Sequence, residues 1–122
     1  MRTKYSRYSR EGKRENMKIV GVTACPTGIA HTYMAQAALI KKGKELGHQV
    51  AIETQGSMGI ESELKRSEIR DADIVVLAVG CAVEGLERFE GKKILKIEVS
   101  EAIAHPNRVY EKILEIVAKE SK

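Results

Sequence analysis

The residues best suited to chemistry lie in one loop, and Cys25 is the first of them. The run KIVGVT, which begins at Lys18, is rich in β-branched residues and predicts a strand. The small and turn-forming residues ACPTG come next and predict a tight loop at the end of that strand. In open α/β sheets, ligands and reactive groups gather at the carboxyl ends of the strands. Cys25 is therefore a candidate nucleophile.

The loop leads directly into a predicted helix over residues Gly28–Leu46. Ala30, Met34 and Ala37 recur at helical spacing, and Gly47 supplies a plausible C-terminal cap. The first turn of a helix leaves N–H donors without partners, and these donors favour an anion. The partial positive charge at the same end stabilises a thiolate and lowers the pKa of a nearby thiol. The sequence thus predicts a reactive thiolate beside an anion site.

The predicted phosphate-binding loop consists of the residues that follow the cysteine: Pro26, Thr27, Gly28, Ile29, Ala30, His31 and Thr32. Gly28 has no side chain where backbone must approach a phosphate closely, and the two threonine hydroxyls can donate hydrogen bonds. His31 can contact the phosphoryl group or the thiolate, or it can serve only the first turn of the helix. A helix N-terminus disfavours the imidazolium form, so His31 is not assigned as a permanent cation.

Other phosphate sites fit the same residues less well. A Walker loop needs a Gly-Lys-Ser/Thr run, which is absent. A low-molecular-weight tyrosine phosphatase places an arginine where this chain has His31. Such a hydrolase also needs an acid for the leaving group, and no paired carboxylates are placed for that task. A phosphatase-like hydrolase and a regulatory phospho-signalling module that uses the same cysteine loop remain the alternatives.

The rest of the chain alternates between predicted strands and helices. The predicted elements are a strand around Val50–Glu53, a loop TQGSMG, a short helical segment that includes Ile69, an apolar strand Ile74–Val79, a strand Ile94–Val99 and a closing helix from Pro106. The run Ile74–Val79 is apolar on both faces, as a central parallel strand requires. This order predicts a three-layer α/β/α fold, Rossmann-like or flavodoxin-like, with roughly four parallel strands and right-handed crossovers.

Composition limits the class of protein. At 122 residues the chain fits one domain, and no apolar run is long enough to span a bilayer. The net charge of +4 comes from residues 1–16, which hold six Lys or Arg against two Glu and lack apolar periodicity. We therefore predict a flexible basic extension over 1–16, a folded domain over 17–122 and no nucleic-acid partner. Two distant cysteines fit a reduced cytoplasmic protein and exclude a disulfide framework.

The loop also carries a specific resemblance. The segment ACPTGIAHTYMA closely resembles the active-site loop of fructose-type B components (IIB) of the phosphoenolpyruvate-dependent sugar phosphotransferase system. The similarity covers about residues 17–118 and includes Glu53-Thr54-Gln55-Gly56, Gly59-Ile60-Glu61, Ala72-Asp73 and Glu87-Arg88-Phe89. The family loop is matched throughout. The resemblance implies that residues 17–122 form a fructose-type IIB domain.

The resemblance implies a function as well. The family's cysteine, here Cys25, accepts a phosphoryl group from a phosphohistidine of the A component (IIA) and carries it as phosphocysteine. It then passes the group to a sugar, fructose or a relative such as mannose, held by the membrane-embedded C component (IIC). The reaction needs no cofactor, and no metal site is expected. The sugar-binding pocket belongs to IIC, so the sugar is implied by the family alone.

A few residues outside the loop receive assignments of their own. Gln55 follows the second strand and is predicted to line the site or to contact a partner, whereas Gly56 serves a turn. Cys81 follows an apolar strand and is expected to be inert or partly buried. His48 and His105 are assigned to a loop and a helix start. Where the family often has an acidic residue, this chain reads Gly80-Cys81-Ala82, so the resemblance assigns no role to that loop.

Overall fold

A computed structural model describes residues 17–26, 29–56 and 59–120 of the chain. The predicted basic extension over residues 1–16 lies outside the described residues, and its flexibility stays a prediction. In the described part, none of the helices is both long and apolar enough to cross a membrane.

The described residues form one five-stranded sheet with helices on both faces. The strands are β1 Lys18–Ala24, β2 Gln49–Gly56, β3 Gly59–Glu61, β4 Ile74–Val79 and β5 Ile94–Ile97, and the helices are α1 Ile29–Glu45, α2 Arg66–Asp71, α3 Val99–Ala104 and α4 Pro106–Glu120. A 3₁₀ turn covers Leu86–Phe89. The strand order is β3-β2-β1-β4-β5, and every neighbouring pair is parallel except β2 with β3. The predicted three-layer α/β/α class is confirmed.

Two apolar clusters occupy the two faces of the sheet. On one face, α1, α3 and α4 bury residues such as Leu39, Ala102 and Ile113 against the sheet. On the other face, Leu64, Ile69 of α2 and Phe89 of the 3₁₀ turn cover β1 and β4. Strands β1 and β4 are covered on both faces, which explains their nearly continuous apolar runs.

Several boundaries differ from those that the sequence predicts. β2 continues beyond the predicted end at Glu53, and the loop expected over TQGSMG contributes β3, which pairs back so that Thr54 faces Glu61. The last strand ends at Ile97, and Val99 begins the short helix α3 instead of closing the strand. Short edge strands and one-and-a-half-turn helices carry too few residues for their periodicity to be seen in sequence. The helix predicted from Pro106 is confirmed.

Helix α1 is fixed to the sheet at both ends. Near its start, the Thr23 hydroxyl donates a 3.0 Å hydrogen bond to the carbonyl oxygen of Thr32, and both residues are fully buried. At its end, Gly47 has a positive φ of 86°, which a glycine adopts without strain, and its N–H donates to the carbonyl of Lys44. The predicted C-terminal cap is confirmed, and the start of α1 is held in place beside the end of β1.

Candidate active site

Cys25 lies at the carboxyl end of β1, the central strand of the sheet. Strand β1 ends at Ala24 and helix α1 begins at Ile29, so the loop that contains Cys25 connects the strand to the helix. The side chain of Cys25 is partly exposed and packs against the apolar cluster under α1, α3 and α4. A thiol at this position can reach both solvent and the first turn of α1, as the sequence predicts.

Among the described residues, His31 places a polar side chain beside the thiol. Its Nδ1 lies 3.9 Å from the Sγ of Cys25, a long contact in which the direction of donation depends on the imidazole tautomer. His31 itself is exposed. An imidazole at this distance can exchange a hydrogen bond with the thiol or turn toward a group bound to it.

Thr32 occupies the next position and faces inward. It is 1% exposed, its carbonyl accepts the hydrogen bond from Thr23, and its Oγ1 has no hydrogen-bond partner among the described residues. A buried hydroxyl without a partner is rare, because desolvating it costs about 1–3 kcal/mol. The predicted contact of the Thr32 hydroxyl with a phosphate stays a prediction.

The other residues of the predicted phosphate-binding loop are less completely described. Pro26 and Ala30 are exposed, and Ile29 is the first residue of α1. Thr27 and Gly28 lie outside the described residues, so their part in a phosphate cradle stays a prediction. The first turn of α1 faces the same side of the sheet as Cys25, which brings its N–H groups to the carboxyl end of β1.

A cleft of about 470 Å³ opens beside the thiol. Its walls come from the start of α1 and from α3 and are mostly apolar: Cys25, His31, Met34, Val99, Ser100, Ile103 and Ala104. Met34 is 50% exposed, which is unusual for a large apolar side chain. The described residues that line this cleft include no carboxyl group.

The loop after β4 lies against the cysteine loop. The N–H of Gly80 donates a 2.8 Å hydrogen bond to the carbonyl of Ala24. A Cβ added to Gly80 would lie 3.0 Å from Cδ of Pro26, so the two loops approach too closely for a larger residue without movement. Gly80 thus packs closely against the loop that holds Cys25.

A buried ion pair lies behind that second loop. The carboxylate of Glu53 is completely buried and accepts two hydrogen bonds from Arg88, at 2.8 and 2.7 Å. It also accepts hydrogen bonds from Nε2 of Gln55 at 2.8 Å and from the N–H of Leu64 at 3.1 Å. The guanidinium carbon of Arg88 stands 4.7 Å from the ring centre of Phe89. Glu53, Gln55 and Arg88 lie within the sequence segments that resemble the family. That these side chains bond to one another was not predicted from the sequence.

Four hydrogen bonds decide the charge state of Glu53. Burial raises the pKa of this carboxyl, but the hydrogen bonds from Arg88, Gln55 and Leu64 outweigh burial and hold the pKa below its ordinary value. The pKa of Arg88 is raised, chiefly by its hydrogen bonds to Glu53. Glu53 is therefore an anion at neutral pH and belongs to a structural ion pair.

The side chain of Gln55 is buried between β2 and the loop after β4. It is 8% exposed, and its amide joins β2 to the loop after β4. Nε2 donates to the carbonyl of Glu84 at 3.0 Å, and Oε1 accepts from the N–H of the same residue at 2.8 Å. Direct contact with a partner stays a prediction, and the burial of Gln55 argues for a different role.

Two residues outside the site are also placed. Cys81 is exposed on the loop after β4, so the expectation of partial burial is wrong; the strand ends at Val79, and the chain turns outward beyond it. His48 is buried at the opposite end of the sheet, where its Nδ1 accepts from the N–H of Met17 at 3.2 Å and its ring stacks on Tyr110. Among the described residues, no group of three or more His, Cys, Asp or Glu is arranged to hold a metal ion.

Fold and site together define a doubly wound α/β domain with a partly exposed cysteine at the turn between its first strand and first helix. Comparison with known proteins gives the family. Residues 20–112 match the family model described as "PTS system, Lactose/Cellobiose specific IIB subunit". The chain belongs to the IIB family of the sugar phosphotransferase system, and the fructose-type resemblance seen in the sequence is confirmed by named relatives.

The named relatives fall into two kinds. The "PTS system fructose-like EIIB component 2" of Escherichia coli strain K12 is 44% identical over 96 residues, which is 79% of this chain and 91% of the relative. The "PTS system fructose-specific EIIABC component" of Bacillus subtilis is 48% identical over 97 residues, but this chain spans only 15% of its length. The chain therefore matches a stand-alone component and one segment of a much longer protein.

A solved structure agrees with the fold. The solution structure of the "Enzyme IIB subunit of PTS system" from Escherichia coli K12 superposes with a TM-score of 0.80 at 36% identity. The superposition covers 88% of this chain and 99% of that one. The two proteins thus share the overall fold.

Proposed function

We propose that this chain is the phosphocarrier of a fructose-type phosphotransferase system and that Cys25 is its phosphorylated residue. The proposal rests chiefly on the place of Cys25, at the carboxyl end of the central strand and before the first turn of α1. The first free N–H groups of that helix favour a dianion, and the helix end favours the thiolate that attacks. The matching family model and the named relatives are described as B components of phosphotransferase systems, which supports the proposal.

The proposed reaction has two steps. In the first, the thiolate Sγ of Cys25 attacks the phosphorus of a phosphohistidine on IIA, so an S–P bond forms as the N–P bond breaks and the imidazole leaves. In the second, a sugar hydroxyl held by IIC attacks the same phosphorus, an O–P bond forms, and the thiolate of Cys25 leaves. The loop N–H groups stabilise the charge on the three equatorial oxygens in both steps.

The partners are proposed on separate grounds. The printed name of the Bacillus subtilis relative combines A, B and C components in one protein, and another relative, from Escherichia coli, is named an EIIBC component. We propose that IIA docks over the apolar cleft beside Cys25, since the cleft is mostly apolar and Met34 on its wall is 50% exposed. Fructose is the proposed sugar because the named relatives are fructose-type. A cytoplasmic location stays a prediction.

Hydrolysis by the same thiol is a weaker proposal. A phosphatase needs an acid to protonate the leaving group, and the described cleft beside Cys25 has no carboxyl group on its walls. A regulatory module without a sugar transporter would need the same loop, and it would accept a phosphoryl group that never reaches a sugar. The phosphocarrier, the hydrolase and the regulatory module differ in where the phosphoryl group goes after Cys25.

Labelling the chain tests the proposal directly. Phosphoenolpyruvate with the general phosphotransferase proteins and a matching IIA should label Cys25, and mass spectrometry under conditions that preserve thiophosphate esters should locate the group. Cys25→Ser should abolish the relay, since an alkoxide is far harder to form than a thiolate near neutral pH. Cys81→Ser is the matched control and should retain it. Label on Cys81, on a histidine or on no residue would contradict the assignment.

Transfer of the phosphoryl group from Cys25 to a sugar distinguishes the phosphocarrier from the hydrolase and from the regulatory module. Membranes that contain a fructose-type IIC should convert the labelled chain to unlabelled protein and sugar phosphate. Release of inorganic phosphate without sugar would favour the hydrolase instead. A stable phosphorylated chain that no transporter discharges would favour the regulatory module.

A further inference from the structure

The loop between β4 and the 3₁₀ turn, residues 80–85, is held at both of its ends. At the first end, the N–H of Gly80 donates to the carbonyl of Ala24, the residue before Cys25. At the other end, the amide of Gln55 forms a two-way pair with the backbone of Glu84, at 2.8 and 3.0 Å. Each contact joins the loop to the end of a different strand, so the loop's position depends on both strands.

The contact at Gln55 is rigid because Gln55 is itself held. Its Nε2 lies 2.8 Å from Oε2 of Glu53, and the carboxylate of Glu53 is fixed by a two-point ion pair with Arg88. Charge-assisted bidentate pairs fix orientation as well as distance. Because Arg88 and Glu84 lie on the same stretch after β4, the ion pair and the amide together secure this stretch to β2 at two points.

The other end of the loop presses on the nucleophile loop. The Cα of Gly80 is so near Pro26 that an added Cβ would lie 3.0 Å from its ring. A shift of the 80–85 loop would therefore change the Ala24 hydrogen bond, the Pro26 contact, or both. Ala24 and Pro26 flank Cys25 in sequence, so the orientation of the Cys25 side chain depends on the position of the 80–85 loop.

We propose that Gln55 is a positioning residue for phosphoryl transfer, acting through the 80–85 loop to hold Cys25 in line with the incoming phosphoryl group. This rests on the proposed function of Cys25. The proposal requires no contact of Gln55 with the substrate or with the thiol. Its side chain holds the loop's far end, the loop holds the backbone on both sides of Cys25, and in-line transfer is sensitive to misplacement of about 1 Å.

Gln55→Met provides the test, because it preserves the length of the side chain and removes all its hydrogen bonds. The maximum rate of phosphoryl acceptance from IIA is expected to fall about tenfold, while the KM for phosphorylated IIA stays within about twofold. Amide hydrogen exchange should accelerate at Glu84 and also at Gly80, whose own partners are unchanged. Gln55→Glu keeps an acceptor for the N–H of Glu84 but places a second carboxylate where Nε2 donates to the Glu53 anion, so it should lose at least as much activity as Gln55→Met.

Two control variants isolate the effect. Tyr110→Phe removes a buried 2.7 Å hydrogen bond to the carbonyl of Leu39 at the far end of the sheet, so it should lower stability and leave the rate unchanged. Glu84→Ala leaves the backbone contact to Gln55 in place and should transfer at the wild-type rate. An equal fall in rate for Tyr110→Phe would show a general effect of destabilisation and overturn the proposal.

Other outcomes would overturn it in distinguishable ways. A raised KM with an unchanged maximum rate would make Gln55 a contact for IIA. Faster exchange at Glu84 alone, with normal transfer, would show that the loop does not reach Cys25.

The alkylation rate of Cys25 tests the positioning role even if the chain is not phosphorylated. In a Cys81→Ser background, iodoacetamide alkylation of Cys25 near neutral pH should differ between wild type and Gln55→Met by about threefold, since the thiolate moves relative to the helix end. If the wild-type chain is not phosphorylated but Gln55→Met still changes the alkylation rate of Cys25, the proposed function is contradicted and the positioning role is supported. If alkylation does not respond and transfer is also unaffected, the positioning role is excluded.

Discussion

Cys25 is partly exposed while the residues on which its loop depends are buried. Thr23, Thr32 and Glu53 are each no more than 1% exposed, and all three are polar. The side chains of Thr23 and Glu53 are hydrogen-bonded to the backbone of Thr32 and Leu64, whereas the Thr32 hydroxyl has no partner among the described residues. The thiol of Cys25 thus lies beside neighbours that are buried and held by hydrogen bonds.

His31 is expected to assist transfer without being essential. Its Nδ1 stands 3.9 Å from Sγ, near enough to reach a phosphoryl group on the thiol by a small rotation. His31→Ala should slow phosphoryl transfer about tenfold, which corresponds to about 1.4 kcal/mol and to one hydrogen bond to a charged group. The thermal midpoint should stay close to wild type because His31 is exposed. Rapid-quench transfer rates measure the effect, and an unchanged rate would leave His31 a purely structural residue.

Glu53 is expected to make the domain sensitive to acid. Its folded pKa lies below the unfolded value, so its contribution to stability is present at neutral pH and is lost as pH falls through the folded pKa. Glu53→Gln should lower the free energy of unfolding by about 3 kcal/mol near pH 7, because Arg88 loses its charged partner. The difference between variant and wild type should shrink as pH falls below about 4.3.

Urea unfolding at several pH values measures the contribution of Glu53. Lys112→Gln removes an exposed ion pair with Glu101 and serves as the control, with an expected effect under about 1 kcal/mol. A pH-independent difference for Glu53→Gln would show that the ion pair does not carry the effect.

At the scale of the element, α1 illustrates a conflict between propensity and packing. Gly43 lies inside this helix, where alanine is ordinarily favoured by about 1 kcal/mol. A Cβ at Gly43 would lie 2.2 Å from Cγ2 of Val50 and 2.5 Å from the hydroxyl of Tyr110. The overlap involves a ring that is itself buried and hydrogen-bonded, so packing decides the outcome.

Gly43→Ala is therefore expected to destabilise the domain by about 1–2 kcal/mol despite the better propensity. Ala37→Gly, at an exposed position of the same helix, should cost about 1 kcal/mol through propensity alone and is the matched control. Thermal or urea unfolding of both variants decides the matter. A stabilised Gly43→Ala variant would mean that α1 moves away from β2 without penalty.

Sequence reasoning succeeded where local pattern and local chemistry coincide. The β-branched run, the turn residues and the alanine-rich helix place Cys25 correctly, because each is determined by neighbours in sequence. Arg88 and Glu53 meet only in the folded chain, 35 residues apart, so their charge pairing has no local signal. Gln55 was predicted to line the site or to contact a partner, and its bonds to the backbone of Glu84 were not predicted because Glu84 is 29 residues away in sequence. The strand β3 and the helix α3 were not predicted because each is too short to show a periodic pattern in the sequence.

At the scale of the whole molecule, the predicted boundary near residue 17 can be tested. Met17 is fully buried and its N–H donates to His48, so a shortened chain has to keep this residue and a peptide bond before it. Removal of residues 1–14 should change the thermal midpoint by less than about 2 °C, since the removed segment has no apolar periodicity. Differential scanning calorimetry measures this, and phosphoryl acceptance should be retained. A large drop would place a stabilising contact in residues 1–14.

The position of β1 in the sheet has a consequence for the order of folding. β1 is synthesised first, yet it pairs with β2 on one side and with β4 on the other, and its end faces Val79 across the second pairing. During translation the strand that bears Cys25 has to wait for residues far downstream before both of its edges are paired, and such non-local pairing slows folding. The nascent thiol therefore acquires its partner loop only after residue 80 has left the ribosome. A chain stalled before that point holds an unfinished strand edge, and it should be recognised by chaperones or proteases more readily than the completed protein.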